Sequence, residues 1–415
     1  MERAQRSIVV GNWLVRLKPC SNRAFAVVGL GLCTILAAGC SSLIARADRC
    51  MNPVLGPNSQ PYPGFSECFL TSRSDHYVPS PEPAPTGTPF LIDLHADTLL
   101  WGRDFVTGDS RGHVDLPRLC AGGYGLQVFT IVTKYSLASD NKLKPASSLA
   151  AKELPDRCHS SSGFDLVTPL AIAHLSKKHW GSSAVTQLRS RAIAQIETFD
   201  DYVANSQGAS QQLVAIRTRN DLGRVAAGFR DRTMDRCVVG GLLGVEGLHF
   251  LDAEAPVEEM AFLYRRGLRI ASLTHHFDNP LAGASTGCDG CKGLEPLGEE
   301  VLRFVLDNGI VLDLAHASSK TITKVLEFKA RYEREHDKPP IPFFVSHTGI
   351  VKQCPSHRNL TAADIEKVAS SGGVIGVMYE PKALCCPECN HEELLNRVVF
   401  TYSIELSINK AYITY

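Results

Sequence analysis

The sequence predicts an α/β chain folded as a TIM-like (β/α)8 barrel that is incomplete at its C-terminal strand. Three observations carry this. Seven short apolar runs, at 90–97, 125–133, 237–247, 268–276, 309–317, 342–349 and 372–379, are continuous rather than alternating. Such runs suit strands buried on both faces of a parallel sheet. Helical stretches separate them, which makes the sheet one of strand–helix units. Residues able to bind metal recur where the runs end, and in a barrel all strand C-termini converge on one face.

The chain has 415 residues, 44% hydrophobic and 21% charged. That is enough for one domain of about 300 residues plus a leader. Lys+Arg and Asp+Glu are both 43, so the formal charge is zero and no nucleic-acid partner is indicated.

Residues 1–45 form the leader. Arg3, Arg6, Arg16, Lys18 and Arg23 stand against a single Glu2, and the uncharged run 24–45 follows. A basic stretch before an apolar run is an export signal or signal anchor, with the rest of the chain outside. Leu36-Ala37-Ala38-Gly39-Cys40 resembles a bacterial lipoprotein cleavage site with a lipidated Cys40. The run is also long enough to span a bilayer uncut, and a plain cleaved signal is the third reading. Residues 46–88, rich in Pro, Ser and Gly, read as a linker, within which Cys50 and Cys68 suit a local disulfide.

The barrel is expected over 89–380 and an atypical tail over 381–415. Helices are expected at 184–206, 257–267, 297–309 and 361–373. Thr361 with Asp364 forms an N-capping pattern, and Gly267, Gly309 and Gly372 sit where helices stop.

His95 and Asp97 end the first run, Glu246 the third, His275 the fourth, His316 the fifth and His347 the sixth. A lone histidine after an apolar run is more often a core or loop residue than a ligand. Recurrence at equivalent points of successive strands changes that balance towards a two-metal hydrolase. Imidazole and carboxylate donors without thiolate suit zinc in an open site. Asp93 and Asp313, inside their strands, read as partners that orient a ligand. Cys288-x-x-Cys291 and Cys385-Cys386-x-x-Cys389 read as disulfides or free thiols rather than a zinc knot. His249, His276, His357 and His391 read as structural or solvated.

DLHADTLLW, GVEG, LTHH with a nearby Asn, LDLAHAS, VSHTG, HRNL and GGVIG occur in that order across 90–380. Together they resemble the membrane (renal-type) dipeptidase family of zinc peptidases. The resemblance implies two zinc ions, one on His95 and Asp97, the other on His316 and His347, with Glu246 bridging both. It implies metal-activated hydroxide attack on the peptide carbonyl of a dipeptide. His275 would contact the substrate or the developing oxyanion, and Arg358 of HRNL would hold the free carboxylate. A homodimer is a further implication, for which no residue marks an interface.

The chain departs from the family at its end. The family's eighth strand closes on a Gly-Ser-Asp-x-Asp-Gly type motif whose first Asp binds the substrate amine. Here only 36 residues follow Tyr379 and none forms that motif. RVVFTYSIEL, 397–406, is able to pair at the sheet edge, with Glu405 its one acidic residue. A truncated or mis-spliced product and a variant of reduced activity both fit. The expectation is therefore a membrane-tethered two-zinc dipeptidase. The rivals are an inactive metal-binding pseudoenzyme and an amidohydrolase acting on N-acyl-amino acids or β-lactams.

Overall fold

The computed structural model describes residues 90–109, 112–134, 183–184, 187–232, 236–287, 292–381, 383–385, 393–394, 396–398 and 412–414. The chain divides into two units, Met1–Arg46 and Ala47–Tyr415. The leader, the linker with Cys50 and Cys68, and Cys288, Cys291, Cys386, Cys389, His391 and Glu405 lie outside the described residues. Among the described residues no helix is long and apolar enough to cross a membrane.

All seven expected strands form. In chain order the strands are β1 (Leu91–Ala96), β2 (Tyr124–Val132), β3 (Gln211–Ala215), β4 (Cys237–Glu246), β5 (Leu268–Ser272), β6 (Val311–Asp313), β7 (Phe343–Thr348), β8 (Val374–Val377) and β9 (Tyr412–Thr414). Their spatial order is β1-β2-β4-β5-β6-β7-β8-β9, with every neighbour parallel. β3 pairs beside the first half of β4, from Gln211↔Cys237 to Ala215↔Gly241, and β5 pairs beside its second half from Leu243↔Leu268. β3 begins Gln-Gln and buries only Leu213 fully, so it lacks the apolar run that marks the other strands.

Leu94, Val128, Leu242, Ile270, Val311, Phe344 and Val374 form one apolar cluster, one residue from each of β1, β2 and β4–β8. Seven strands thus surround a filled axis, as in a barrel interior. The ring is nearly closed. Among the described residues no ladder joins β1 to β8 or β9, and all six residues of β1 are only half-buried.

Helices cover the outside: α1 (Leu116–Ala121), α2 (Leu188–Asn205), α3 (Arg219–Arg230), α4 (Pro256–Arg265), α5 (Pro296–Asp307), α6 (Ser319–Glu335) and α7 (Ala362–Ser370). Their starts follow local chemistry. Pro256 and Pro296 open α4 and α5, where a missing N–H costs nothing. Thr361 caps α7 by accepting from the Asp364 amide, and Ser318 caps α6 through Thr321. α6 buries Ile322, Val325, Leu326, Lys329 and Tyr332, a stripe at helical spacing against the barrel.

The tail differs from expectation. Residues 396–398 are helical, and the edge of β8 is taken by β9 rather than by 397–406. Leu394 and Val398, four apart, pack as one face on Leu384 and Val377, which favours helix there over strand. Among the described residues the disulfides Cys120–Cys237 and Cys354–Cys385 tie α1 to β4 and the loop after β7 to the segment after β8.

Candidate metal centre

Glu246 ends β4 and is 3% exposed. Gly247 turns the chain at once with φ 77°, and a Cβ there would lie 2.8 Å from atoms of both His249 and His275. The turn leaves the carboxylate facing the barrel axis at the C-terminal end of the strands. Oε1 lies 2.9 Å from His316 Nε2 and 3.3 Å from His347 Nε2. Oε2 lies 3.3 Å from His275 Nε2 and 3.7 Å from His95 Nε2. One carboxylate thus stands among four imidazoles from four strand ends.

The other predicted residues join this cluster. Asp97 Oδ1 lies 3.3 Å from His95 Nε2 and accepts a 2.7 Å hydrogen bond from Thr130 Oγ1 of β2. The His95 and His347 rings stack at 3.8 Å. His316 sits at φ 63°, a left-handed conformation rare for a residue with a Cβ, and such strain clusters at functional sites. Arg358, in the loop after β7, donates from Nη2 to the His347 carbonyl at 2.9 Å. Asn359 holds that loop by donating to the Cys354 and Ala383 carbonyls and accepting from the Gly349 amide.

Electrostatics separate the imidazoles. Burial works to raise Glu246, but His275, His95 and His316 hold it well below the usual carboxylate range. Burial works to lower His95, yet Glu246, Asp97 and Asp313 override it and push the ring up to about 9. Burial, aided by the charges of His95 and Arg358, pulls His347 down to about 3. His316 is pulled well below its usual value by burial and Arg358, and His275 by burial against the pull of Glu246.

This donor set fits metal ions. His316 Nε2 and His347 Nε2 face each other at 3.2 Å, both beside Glu246 Oε1, an arrangement of donors that a cation among the three would satisfy. Two groups of converging donors stand out among the described residues: His95, Glu246 and His347, and His275, His276 and His316. The first pairs residues expected on different ions. The second includes His276, which the sequence assigns to a structural role.

At His275 the geometry bears on which of its two expected contacts, substrate or oxyanion, the ring polarity suits. Its Nδ1 lies 3.0 Å from the Lys134 carbonyl, which only accepts, so Nδ1 carries the proton and Nε2 turns a lone pair inward. That polarity suits an acceptor or ligand, not donation to an oxyanion. His249 supports this residue by accepting from the His275 amide at 3.2 Å. The sequence shows no periodic signal for His249 or His276. Both lie in loops after strand ends, where position alone does not distinguish a site residue from its neighbours.

With the geometry in place, comparison with known proteins is decisive at the level of family. The family model described as membrane dipeptidase (peptidase family M19) matches residues 87–400. The chain belongs to the membrane dipeptidase family. It is 31% identical over 140 residues to an uncharacterised dipeptidase of Schizosaccharomyces pombe, a stretch covering 33% of this chain and 31% of that protein. It is 24% identical over 310 residues to Dipeptidase 3 of Macaca fascicularis, covering 72% of this chain and 53% of that protein. The chain therefore spans between about a third and about half of these two curated relatives. Among solved structures, a family M19 metallopeptidase called dipeptidase AC matches with TM-score 0.52 at 18% identity, over 77% of this chain and 80% of that one. A Rhodobacter sphaeroides metallopeptidase, liganded with a phosphinate mimic of the dipeptide L-Ala-D-Ala, matches with TM-score 0.51 at 18% identity over 77% and 82%. These two likenesses establish the barrel fold of this chain.

Proposed function

We propose that this membrane dipeptidase family member is a two-zinc dipeptidase held outside the cytoplasmic membrane by its N-terminal segment. The observation that carries the reading is Glu246, buried and ionised, with four imidazole nitrogens within 3.7 Å and Arg358 bonded to the backbone of His347. His95 and Asp97 would hold one ion and His316 and His347 the other, with Glu246 within reach of both pairs. Donors of this type, without thiolate, select zinc in an open site. Bound zinc supplies Lewis-acid polarisation of the scissile carbonyl and a water nucleophile at neutral pH.

The chain's own residues do the rest. Glu246 stays charged because the imidazoles around it outweigh its burial. Arg358 offers a planar fork that matches the free carboxylate of a dipeptide bidentately. His275 presents Nε2 as an acceptor to the substrate. The leader and the two disulfides support an extracytoplasmic location, since disulfides persist in oxidising compartments. An inactive metal-binding protein shares the same centre, and the lack of a ladder on the outer side of β1 among the described residues is the observation on its side.

The test is zinc content and turnover of the purified full chain. Two zinc ions per chain and dipeptide hydrolysis lost on chelation and in Glu246→Gln support the dipeptidase. Two zinc ions without turnover of any dipeptide leave the inactive reading. Absence of stoichiometric metal removes both.

A further inference from the structure

We propose that Asp313 and Ser346 form a hydrogen-bond relay that fixes the His347 proton on Nδ1 and presents its Nε2 lone pair to the metal centre. The inference rests on the zinc reading above for its purpose, though not for its geometry. Asp313 ends β6, and Ser346 and His347 lie side by side in β7, paired to it in parallel. Asp313 and Ser346 are each 5% exposed.

The polarity follows from counting protons. Asp313 Oδ1 accepts from the amides of Ala315 and Ser346, each at 2.9 Å. Its Oδ2 accepts from Ser346 Oγ at 2.6 Å. Burial raises this carboxyl, the three converging donors oppose that, and with both oxygens accepting it has no proton to give to Ser346. The single hydroxyl proton of Ser346 is therefore engaged with Asp313. At the 2.7 Å contact between Ser346 Oγ and His347 Nδ1, the serine can only accept. Nδ1 must carry the ring proton. Nε2 is left bare where it meets Glu246 Oε1 at 3.3 Å and His316 Nε2 at 3.2 Å.

The neighbouring ligands lack such a device. The Nδ1 atoms of His95 and His316 are buried with no hydrogen-bond partner among the described residues. Asp313 reaches His316 differently, through the amide of Ala315 just before it, which steadies the backbone at the left-handed residue. One carboxylate thus sets the ring polarity of one imidazole and the chain path of the other. Asp313 and Ser346 are positioning residues, since neither touches the reacting atoms.

Asp313→Asn tests polarity at nearly constant shape. The asparagine oxygen must take over the two backbone amides, which leaves its NH2 facing Ser346 Oγ. Ser346 must then give its proton to His347 Nδ1, and the ring proton moves to Nε2. Ser346→Ala only removes the relay, and Ser346→Thr keeps it. Two readouts on the full chain decide. Histidine nitrogen shifts of the 15N-labelled, metal-depleted protein, with folding checked by circular dichroism, are expected to report Nδ1–H at His347 in wild type and Ser346→Thr. They are expected to report Nε2–H in Asp313→Asn. Zinc affinity by chelator competition is expected to fall about 10–100-fold in Ser346→Ala, further in Asp313→Asn, and to be restored in Ser346→Thr. A purely structural role would lower stability without moving the ring proton. The relay is overturned if His347 keeps the same tautomer in wild type and Asp313→Asn. A wild type that takes up no zinc defeats the zinc reading, while the nitrogen shifts still decide the relay.

Discussion

Glu246 divides the centre into two halves that the chain supports to different degrees. Oε1 faces His316, in the loop after β6, and His347, in β7, inside the continuous arc of the barrel. Oε2 faces His275, after β5 on the arc, and His95, beside which stands Asp97 just past β1. The His347 side chain is 16% exposed and its Nδ1 is bound within the protein, whereas the Asp97 side chain is 36% exposed. β1 is half-buried along its length and has no ladder on its outer side among the described residues. Closure of the barrel is accompanied by pre-organisation at His347, where the protein alone fixes ring direction. At His95, and at His316 on the arc, Nδ1 has no partner among the described residues, and orientation would rest more on the metal itself.

The comparison breaks most readily at the ligands themselves. His316→Ala removes the imidazole nearest Glu246 and leaves a buried carboxylate short of a hydrogen-bond partner, at an expected cost of about 1–3 kcal/mol. Asp97→Ala, at the exposed half, is expected to change stability by about 0.5 kcal/mol or less. Denaturant unfolding with parallel zinc analysis checks both. The expected pattern is a destabilised chain for His316→Ala and a stable chain that has lost one ion for Asp97→Ala. Equal destabilisation by the two substitutions would remove the distinction between arc and seam.

The pH dependence of the metal-free chain sharpens the same contrast. His95 is raised to about 9, so its contribution is fully present below its ordinary value near 6.5 and is lost as pH climbs through about 9. His347 is held down to about 3, so the unfolded chain binds a proton there first, and stability falls as pH drops from about 6.5 towards 3. The two halves therefore bend the stability curve at opposite ends. His95→Asn is expected to flatten the alkaline limb and leave the acid limb in place, read as denaturant midpoints across pH. Zinc uptake at the seam should release a proton and tighten as pH rises towards 9.

The sequence makes the strand ends legible because burial on both faces writes each barrel strand as an apolar run, and chemistry interrupts the run at its C-terminus. That is why Glu246, His316 and His347 stand out. Asp313 is also readable, as a carboxylate out of place inside such a run. Ser346 and Thr130 are not. A hydroxyl is a small break in an apolar run, and its value depends on which neighbouring strand it meets. β3 is missed because Gln211 and Gln212 open it and its one buried residue makes no pattern. His276 is missed because its role depends on loop geometry that brings it towards His275 and His316.

The smallest expected effect separates the supports rather than the ligands. Thr130→Val removes the hydroxyl that donates to Asp97 and keeps the shape of the side chain. In a closed site such a loss would leave an acceptor without a partner, at about 1–3 kcal/mol. Asp97 is more than a third exposed, so water is able to replace the hydroxyl at the carboxylate. The expected loss in zinc affinity is therefore under about tenfold, smaller than for Ser346→Ala on the arc. Chelator competition on the two variants in parallel measures the difference. If Thr130→Val costs as much as Ser346→Ala, Asp97 is as firmly held as His347, and closure of the barrel does not govern how well its ligands are prepared.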